Sequence, residues 1–259
     1  MKADTKILGI IPVIGFGTWE ITGEQCADSV QNALELGYRH IDTAQLYTNE
    51  REVGKGIKRS SVKRESIFVT TKIATHNFTP ELIRQSTMES IQKLDTGYID
   101  LLLIHWPTYE MDLETCLNAM FGLKDEGKIK NVGVSNFNPE LFRKAISLGP
   151  VINNQVKFTP YHNQFGNLEV AHKENKILTA YSPLERGDII KDKSLSQIGN
   201  KYSKTASQVS LRWLIQLGNV SVIPKATNEE HQKENINIFD FELSEEDMET
   251  IKHLSKNLV

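Results

Sequence analysis

Short runs dominated by Val, Ile and Leu recur along the chain, separated by longer segments in which apolar residues return every three or four positions. The first pattern predicts buried strands and the second amphipathic helices. The strand-like runs fall near Val13–Thr18, Tyr38–Thr43, Ile67–Ile73, Ile99–Trp106, Ile129–Asn136, Ile152–Phe158, Ile177–Ser182 and Ser221–Lys225. Helical periodicity occupies about Gly23–Leu36, Glu50–Arg59, Pro80–Leu94, Leu113–Glu126, Pro139–Leu148, Leu168–Asn175, Thr205–Leu217 and Glu229–Ile238, with an additional segment near Glu245–Leu254. No linker-like stretch divides the halves, so residues 1–259 read as one continuous domain.

Several boundaries carry their own signals. Thr79-Pro80-Glu81 and Asn138-Pro139-Glu140 place a capping side chain before a proline suited to the first helical turn. Ser244 and Asp247 resemble a capping box with a shorter carboxylate, and Gly37, Gly127, Gly149 and Gly218 stand where helices should end. The runs at 67–69 and 99–104 are apolar almost throughout, as expected of strands covered on both faces. Eight β–α units in sequence imply an α/β protein: a single (β/α)8 TIM barrel with an N-terminal strand or hairpin segment and an extra C-terminal helix. Its active site would lie at the C-terminal ends of the strands. An open, doubly wound sheet is the alternative.

That alternative would normally carry G-x-G-x-x-G after a strand. Gly15-x-Gly17 and Gly54-x-Gly56 each lack the third glycine, and no phosphate-cradling G-x-x-x-x-G-K-[ST] occurs. Lys+Arg 30 against Asp+Glu 33 gives a net charge of −3, which argues against a duplex nucleic-acid binder. Cys26 and Cys116, the only cysteines, lack metal-site spacing and read as reduced core thiols; no H-E-x-x-H is present, so no metal is expected. The apolar stretch from Ile7 to Gly17 is broken by Gly9, Pro12 and Gly15 and does not read as a signal peptide. A cytoplasmic protein with no membrane partner is the expectation.

The barrel reading directs attention to polar residues at strand ends. Strand two ends in Asp42, with Tyr47 five positions on; strand three ends in Lys72, and strand four in His105, before Trp106-Pro107. Each has a bland explanation alone: a helix cap, a surface aromatic, a solvated ammonium, a satisfied imidazole. Together they make sense as a proton donor for a carbonyl. An ammonium near a phenol stabilises phenolate, and lowering a tyrosine pKa by about 2 corresponds to about 2.7 kcal/mol. Lys72 would be that ammonium, Asp42 the carboxylate keeping it charged, and His105 the group orienting the substrate oxygen.

At this point the chain resembles the aldo-keto reductase superfamily, most closely its prokaryotic-type members of the aldose reductase and 2,5-diketo-D-gluconate reductase kind. The resemblance is carried by Gly15-Phe16-Gly17-Thr18-Trp19, by Gly37 through Ala44 with Tyr47 and Asn49-Glu50, and by Thr71-Lys72. It continues through Leu103-Ile104-His105-Trp106-Pro107, Gly133 through Phe137, Asn154-Gln155, Ala180 through Leu184 and Val222-Ile223-Pro224-Lys225. The resemblance implies a barrel that binds extended NADPH and transfers hydride from nicotinamide C4 to a carbonyl carbon. By the same resemblance Tyr47 is the proton donor, tuned by Lys72 and Asp42, and His105 orients the carbonyl. Ser135, Asn136 and Gln155 match carboxamide contacts, and Tyr181 matches the ring that stacks on nicotinamide. Ser182 and Leu184 would flank the pyrophosphate, with Gly17, Thr18, Trp19 and Asp42 as further cofactor contacts. Trp19, Tyr47, His105 and Trp106 would line the substrate site.

The adenosine end departs from the pattern. Lys225, Glu234 and Asn235 are retained, and Thr227 and Asn228 offer donors, but Ala226 and His231 stand where NADPH-preferring relatives often carry serine and arginine. Imidazole replaces a guanidinium clamp only when protonated, so NADPH discrimination is expected to be weaker and NADPH affinity to fall between about pH 6 and 8, with NADH left open as a second cofactor. Glu185-Arg186 replaces a more usual small-residue stretch, and Lys157 stands where relatives carry glutamate, without a functional account. The loop at Thr108–Asp112, the loop after strand seven and the tail all read as short, and Ala74 replaces an aromatic wall, so an open, shallow pocket for small aldehydes, α-ketoaldehydes such as methylglyoxal, or keto-sugar acids is expected. A monomer acting on such a substrate is the expected state. Two other classes remain: a non-catalytic NADPH-binding regulatory subunit of the same fold, and a Schiff-base aldolase using Lys72, which Asp42 disfavours by holding the lysine protonated.

Overall fold

The computed structural model describes residues 2–254. It opens with an antiparallel hairpin, β1 (Lys6–Ile7) and β2 (Ile11–Pro12). Eight strands follow: β3 (Phe16–Gly17), β4 (His40–Asp42), β5 (Phe68–Ile73), β6 (Ile99–Ile104), β7 (Ile129–Ser135), β8 (Val151–Lys157), β9 (Ile177–Tyr181) and β10 (Val220–Ile223). Each pairs in parallel with the next in chain order, and a parallel bridge between Ile14 and Val222 joins last to first. Val222 N donates to Val13 O, Gly15 N to Val222 O and Gly17 N to Pro224 O along that seam. The sheet therefore closes into a (β/α)8 barrel, and the open-sheet alternative falls.

The helices are α1 (Gly23–Glu35), α2 (Glu50–Arg59), α3 (Pro80–Leu94), α4 (Leu113–Asp125), α5 (Pro139–Leu148), α6 (Phe165–Lys173), α7 (Lys193–Tyr202), α8 (Ala206–Gln216), α9 (Glu229–Ile236) and α10 (Glu245–Lys252). The expected caps form: Thr79 accepts from Leu82 N, Asn138 from Leu141 N and Ser244 from Asp247 N. Gly54 and Gly56 lie inside α2, where a Cβ would collide with the backbone of Leu94 and of Ala27 respectively. Their spacing serves close helix packing rather than phosphate binding.

One expectation fails. The connection after β9 is not brief: it runs through a 3-10 segment, Glu185–Lys191, and then α7 before α8 begins. Asp192 caps α7 by accepting from Leu195 N at 2.7 Å, and only Leu195, Ile198 and Gly199 of the helix are buried. Its narrow apolar stripe, set among Lys, Ser, Gln and Asn, hides the helical period. The tail expected to be short falls on residues 255–259, outside the described residues.

Strand alternation decides what faces the barrel interior. Leu101 and Leu103 of β6 join Phe68, Ile177 and Ile11 in one inner cluster, which the hairpin plugs at the N-terminal end of the strands. Leu102 and Ile104 point the other way, into the larger core beneath the helices. A polar layer lies farther along the axis, where His40 Nε2 is 2.9 Å from Thr70 Oγ1 and Asn153 Nδ2 donates to Thr179 Oγ1 at 2.8 Å. Burial pushes His40 down to about 3, so it is neutral. Cys26 and Cys116 are both buried, and burial raises them to about 12 and about 11. Among the described residues no helix is long and apolar enough to cross a membrane.

Candidate active site

With the barrel plugged at one end, the strand ends at the other gather the ionisable side chains. Asp42 closes β4, Lys72 stands next to last in β5, and His105 follows β6 directly. Tyr47 ends a 3-10 turn, Gln45–Tyr47, which Thr48 terminates in the left-handed conformation at φ 55°. Lys72 Nζ donates three hydrogen bonds: to Asp42 Oδ1 at 2.5 Å, to Thr43 O at 2.9 Å and to the Tyr47 hydroxyl at 3.3 Å. Three donated bonds require the full ammonium. Burial works against that charge, but the Asp42 carboxylate and Tyr47 oxygen outweigh it and hold Lys72 above its ordinary value. Burial also pushes Asp42 above its ordinary value, offset in part by Lys72 and by Gln155 Nε2, which donates to Asp42 Oδ2 at 2.7 Å. Both partners thus hold protons more strongly than in water, and the ammonium is the charge that geometry secures.

The Tyr47 phenol departs from expectation. Burial raises it above its ordinary value; the Lys72 ammonium pulls it down without overcoming burial, and Asp42 adds to the rise. The site holds a protonated phenol rather than an acidified one. The Tyr47 oxygen accepts from Lys72, so its own hydrogen is left for another acceptor. His105 packs edge-on to Tyr47 with ring centroids 5.8 Å apart. Burial and the nearby Lys72 push the imidazole down to about 3, and its Nδ1 has no partner among the described residues. It is a neutral hydrogen-bonding group.

A cavity of about 1000 Å³ opens over this quartet. Trp19, Tyr47, His105 and Trp106 line it near the quartet, as do Gly17, Thr18 and Asp42. Ala74, by contrast, is buried and does not line it. Ser135, Asn136, Gln155 and Tyr181 form one wall as a bonded set: Tyr181 donates to Asn136 Oδ1, Asn136 Nδ2 to His105 O, and Ser135 Oγ to Gln155 O. Ser182, Leu184, Lys225, Thr227, His231, Glu234 and Asn235 line the remainder. Asn228 does not; its side chain accepts from Glu230 N at 2.7 Å as the cap of α9. Lys72 also lies behind the wall rather than in it.

The segment after β9 supplies residues whose contacts could not be foreseen. Glu185 Oε2 is 2.9 Å from Lys157 Nζ, and its Oε1 accepts from Thr159 Oγ1 and faces His162 Nδ1, each at 2.7 Å. Lys157 thereby gains an account: it ties β8 to the segment crossing the cavity. Arg186 reaches over the Trp19 ring, 4.4 Å from its centroid. Asn49, buried beneath, donates to Thr18 O and Ile21 O and fixes the turn that carries Trp19. A run of Gly, Ser and charged residues after a strand end was the only available signal for the crossing segment.

The cavity also fits a dinucleotide. It far exceeds a small carbonyl compound, its lining offers amides and a tyrosine ring, and the Lys225 ammonium and the His231 imidazole line it as well. A Cβ on Gly17 would lie 2.8 Å from Ile223 O, so only glycine lets β3 meet β10 there.

Fold and site together are those of a barrel oxidoreductase. Residues 13–256 match the Aldo/keto reductase family, and the chain belongs to that family. It is similar to the 9,11-endoperoxide prostaglandin H2 reductase of Trypanosoma cruzi (strain CL Brener), 41% identical over 95% of this chain and 89% of the relative. Methylglyoxal reductase DkgB of Escherichia coli O157:H7 is 38% identical over 95% of this chain and 94% of its own. The crystal structure of MGS-M4, an aldo-keto reductase enzyme from a Medee basin deep-sea metagenome library, matches with a TM-score of 0.90 at 37% identity, covering 96% of this chain and 94% of that one. The protein is accordingly an NAD(P)H-dependent oxidoreductase of small carbonyl compounds.

Proposed function

We propose that this chain reduces small aldehydes and α-ketoaldehydes such as methylglyoxal to alcohols, using NADPH with weakened discrimination against NADH, and that Tyr47 is the proton donor. The observation that carries the reading is the orientation of the Tyr47 hydroxyl: its oxygen accepts from the Lys72 ammonium, which leaves its proton free to be donated. The nicotinamide cofactor supplies hydride to the carbonyl carbon. Tyr47 and the neutral His105 hydrogen-bond the carbonyl oxygen and hold it in place. As negative charge develops on that oxygen, Tyr47 gives up its proton, and the phenolate left behind faces Lys72 at 3.3 Å. Lys72 thus acts on the product state of the proton transfer, where its field is strongest, rather than by acidifying the resting phenol. Ser135, Asn136, Gln155 and Tyr181 would hold the nicotinamide end, and Lys225, Thr227, His231, Glu234 and Asn235 the adenosine end. Trp19 and Trp106, the latter 47% exposed, leave the substrate side open, in keeping with small substrates.

The experiment is oxidation of NADPH and of NADH with methylglyoxal and with an aromatic aldehyde, native chain against Tyr47→Phe. Loss of one general acid is expected to reduce kcat by about 10²- to 10⁴-fold while cofactor binding is retained. Cofactor binding with no turnover by the native chain would instead support the regulatory reading.

A further inference from the structure

Trp19 and Glu20 form the turn that leaves β3, and the cavity is braced across this turn from two sides. Arg186 covers Trp19, and Lys225, just past β10, brings Nζ to 3.9 Å from Glu20 Oε2. Glu20 sits in the left-handed region at φ 60°, a conformation that a residue with a Cβ keeps only where its surroundings hold it. Its side chain is 54% exposed and lines the same cavity as Lys225, Thr227 and His231.

We propose that Glu20 is a cofactor-selecting residue, whose carboxylate engages the Lys225 ammonium and disfavours the 2′-phosphate of NADPH relative to the free ribose of NADH. This rests on the reading of the cavity as the NAD(P)H cleft and deepens it. At the adenosine end Lys225 is the fixed cation, Ala226 offers no hydroxyl and His231 no fork of donors. A 2′-phosphate must take Lys225 from Glu20 and then lie beside a carboxylate that can only accept hydrogen bonds. A free ribose brings hydroxyl donors that a carboxylate can accept, with no charge to repel. The Glu20–Lys225 separation of 3.9 Å lies inside the Debye length of about 8 Å at physiological salt, so the hold of Glu20 on Lys225 is only partly screened.

The test is equilibrium binding of NADPH and NADH, read by intrinsic tryptophan fluorescence, for the native chain, Glu20→Gln, Lys225→Met and the double variant. Glu20→Gln is expected to tighten NADPH by about 3- to 10-fold and to leave NADH within about twofold, with the gain shrinking at high salt. Because Glu20 acts mainly by engaging Lys225, most of the gain should be lost in the double variant. Equal changes for both cofactors, no change, or a gain undiminished by loss of Lys225 would overturn the proposal while leaving the cleft intact. Failure of the native chain to bind either cofactor would overturn the cleft reading, and this proposal with it.

Discussion

Two ion-paired regions flank the same cavity and are built on opposite principles. Beneath the floor, Lys72 and Asp42 are 1% and 2% exposed, and every ammonium proton has a partner. Across the top, Lys157 and Glu185 are 36% and 13% exposed and Lys225 and Glu20 41% and 54%, all on loops or strand ends. Exposed pairs contribute only about 0–1 kcal/mol each, whereas breaking a buried pair costs several times that. The difference suits two tasks. Under the proposed function, a proton donor would gain from a fixed electrostatic environment, and a cofactor cleft from closures weak enough to open in every cycle.

The strongest way to break this comparison is Lys72→Met. It leaves the Asp42 carboxylate buried with Gln155 as its side-chain partner, and the expected loss is about 3–5 kcal/mol of folding stability. Chemical denaturation would measure it. Adding Asp42→Asn should restore much of the stability without restoring turnover, because the ammonium facing Tyr47 is still absent. Full stability in Lys72→Met alone would mean that the buried pair is not the anchor described.

Much of the floor was legible in the sequence and little of the top was. Strand alternation fixes which residues face inward, so Asp42, Lys72 and His105 could be placed on one rim from their positions at strand ends. What the residues alone could not give was burial, and burial reversed the expected direction for Tyr47: desolvation of the phenolate outweighs the ammonium. Gln155, matched to a cofactor amide by resemblance, turns out to hold Asp42, a partner 113 positions away. Over the cavity, the pairing of Lys157 with Glu185 joins the end of β8 to a segment whose path no local pattern specifies. The helix Lys193–Tyr202 escaped because its buried stripe is too narrow to stand out among polar residues.

A smaller effect sharpens the comparison at the proposed adenosine end. His231→Arg adds a permanent fork of donors to a cleft wall that now offers an imidazole. NADPH should bind about fivefold more tightly, on the order of 1 kcal/mol for a solvent-accessible pair, with NADH unchanged. Titration of both cofactors measures the ratio, and a parallel gain for NADH would place His231 away from the phosphate.

The smallest expected change in stability, and the most direct reading of the closure, comes from Glu185→Gln. The Lys157 ion pair is lost, while a neutral amide can still accept from Thr159. Global stability should fall by less than about 1 kcal/mol. Amide hydrogen exchange in residues 182–191 should nonetheless accelerate selectively, and cofactor release should quicken, because this segment holds itself over the cavity by few contacts. The pH dependence has a defined sign. Burial alone would raise the Glu185 carboxyl, but hydrogen bonds from Thr159, Lys157 and His162 outweigh it and hold it below its ordinary 4.5. A carboxyl depressed in the folded state contributes stability that is fully present above its ordinary value and is lost as pH falls through the depressed one. Protection of the segment in the native chain should therefore persist from neutrality down to pH 4.5 and fail only below it, while Glu185→Gln lacks that protection at every pH. Acceleration spread evenly over the barrel strands would show instead that Glu185 supports the whole fold, and the contrast between a rigid floor and a weakly held top would fail.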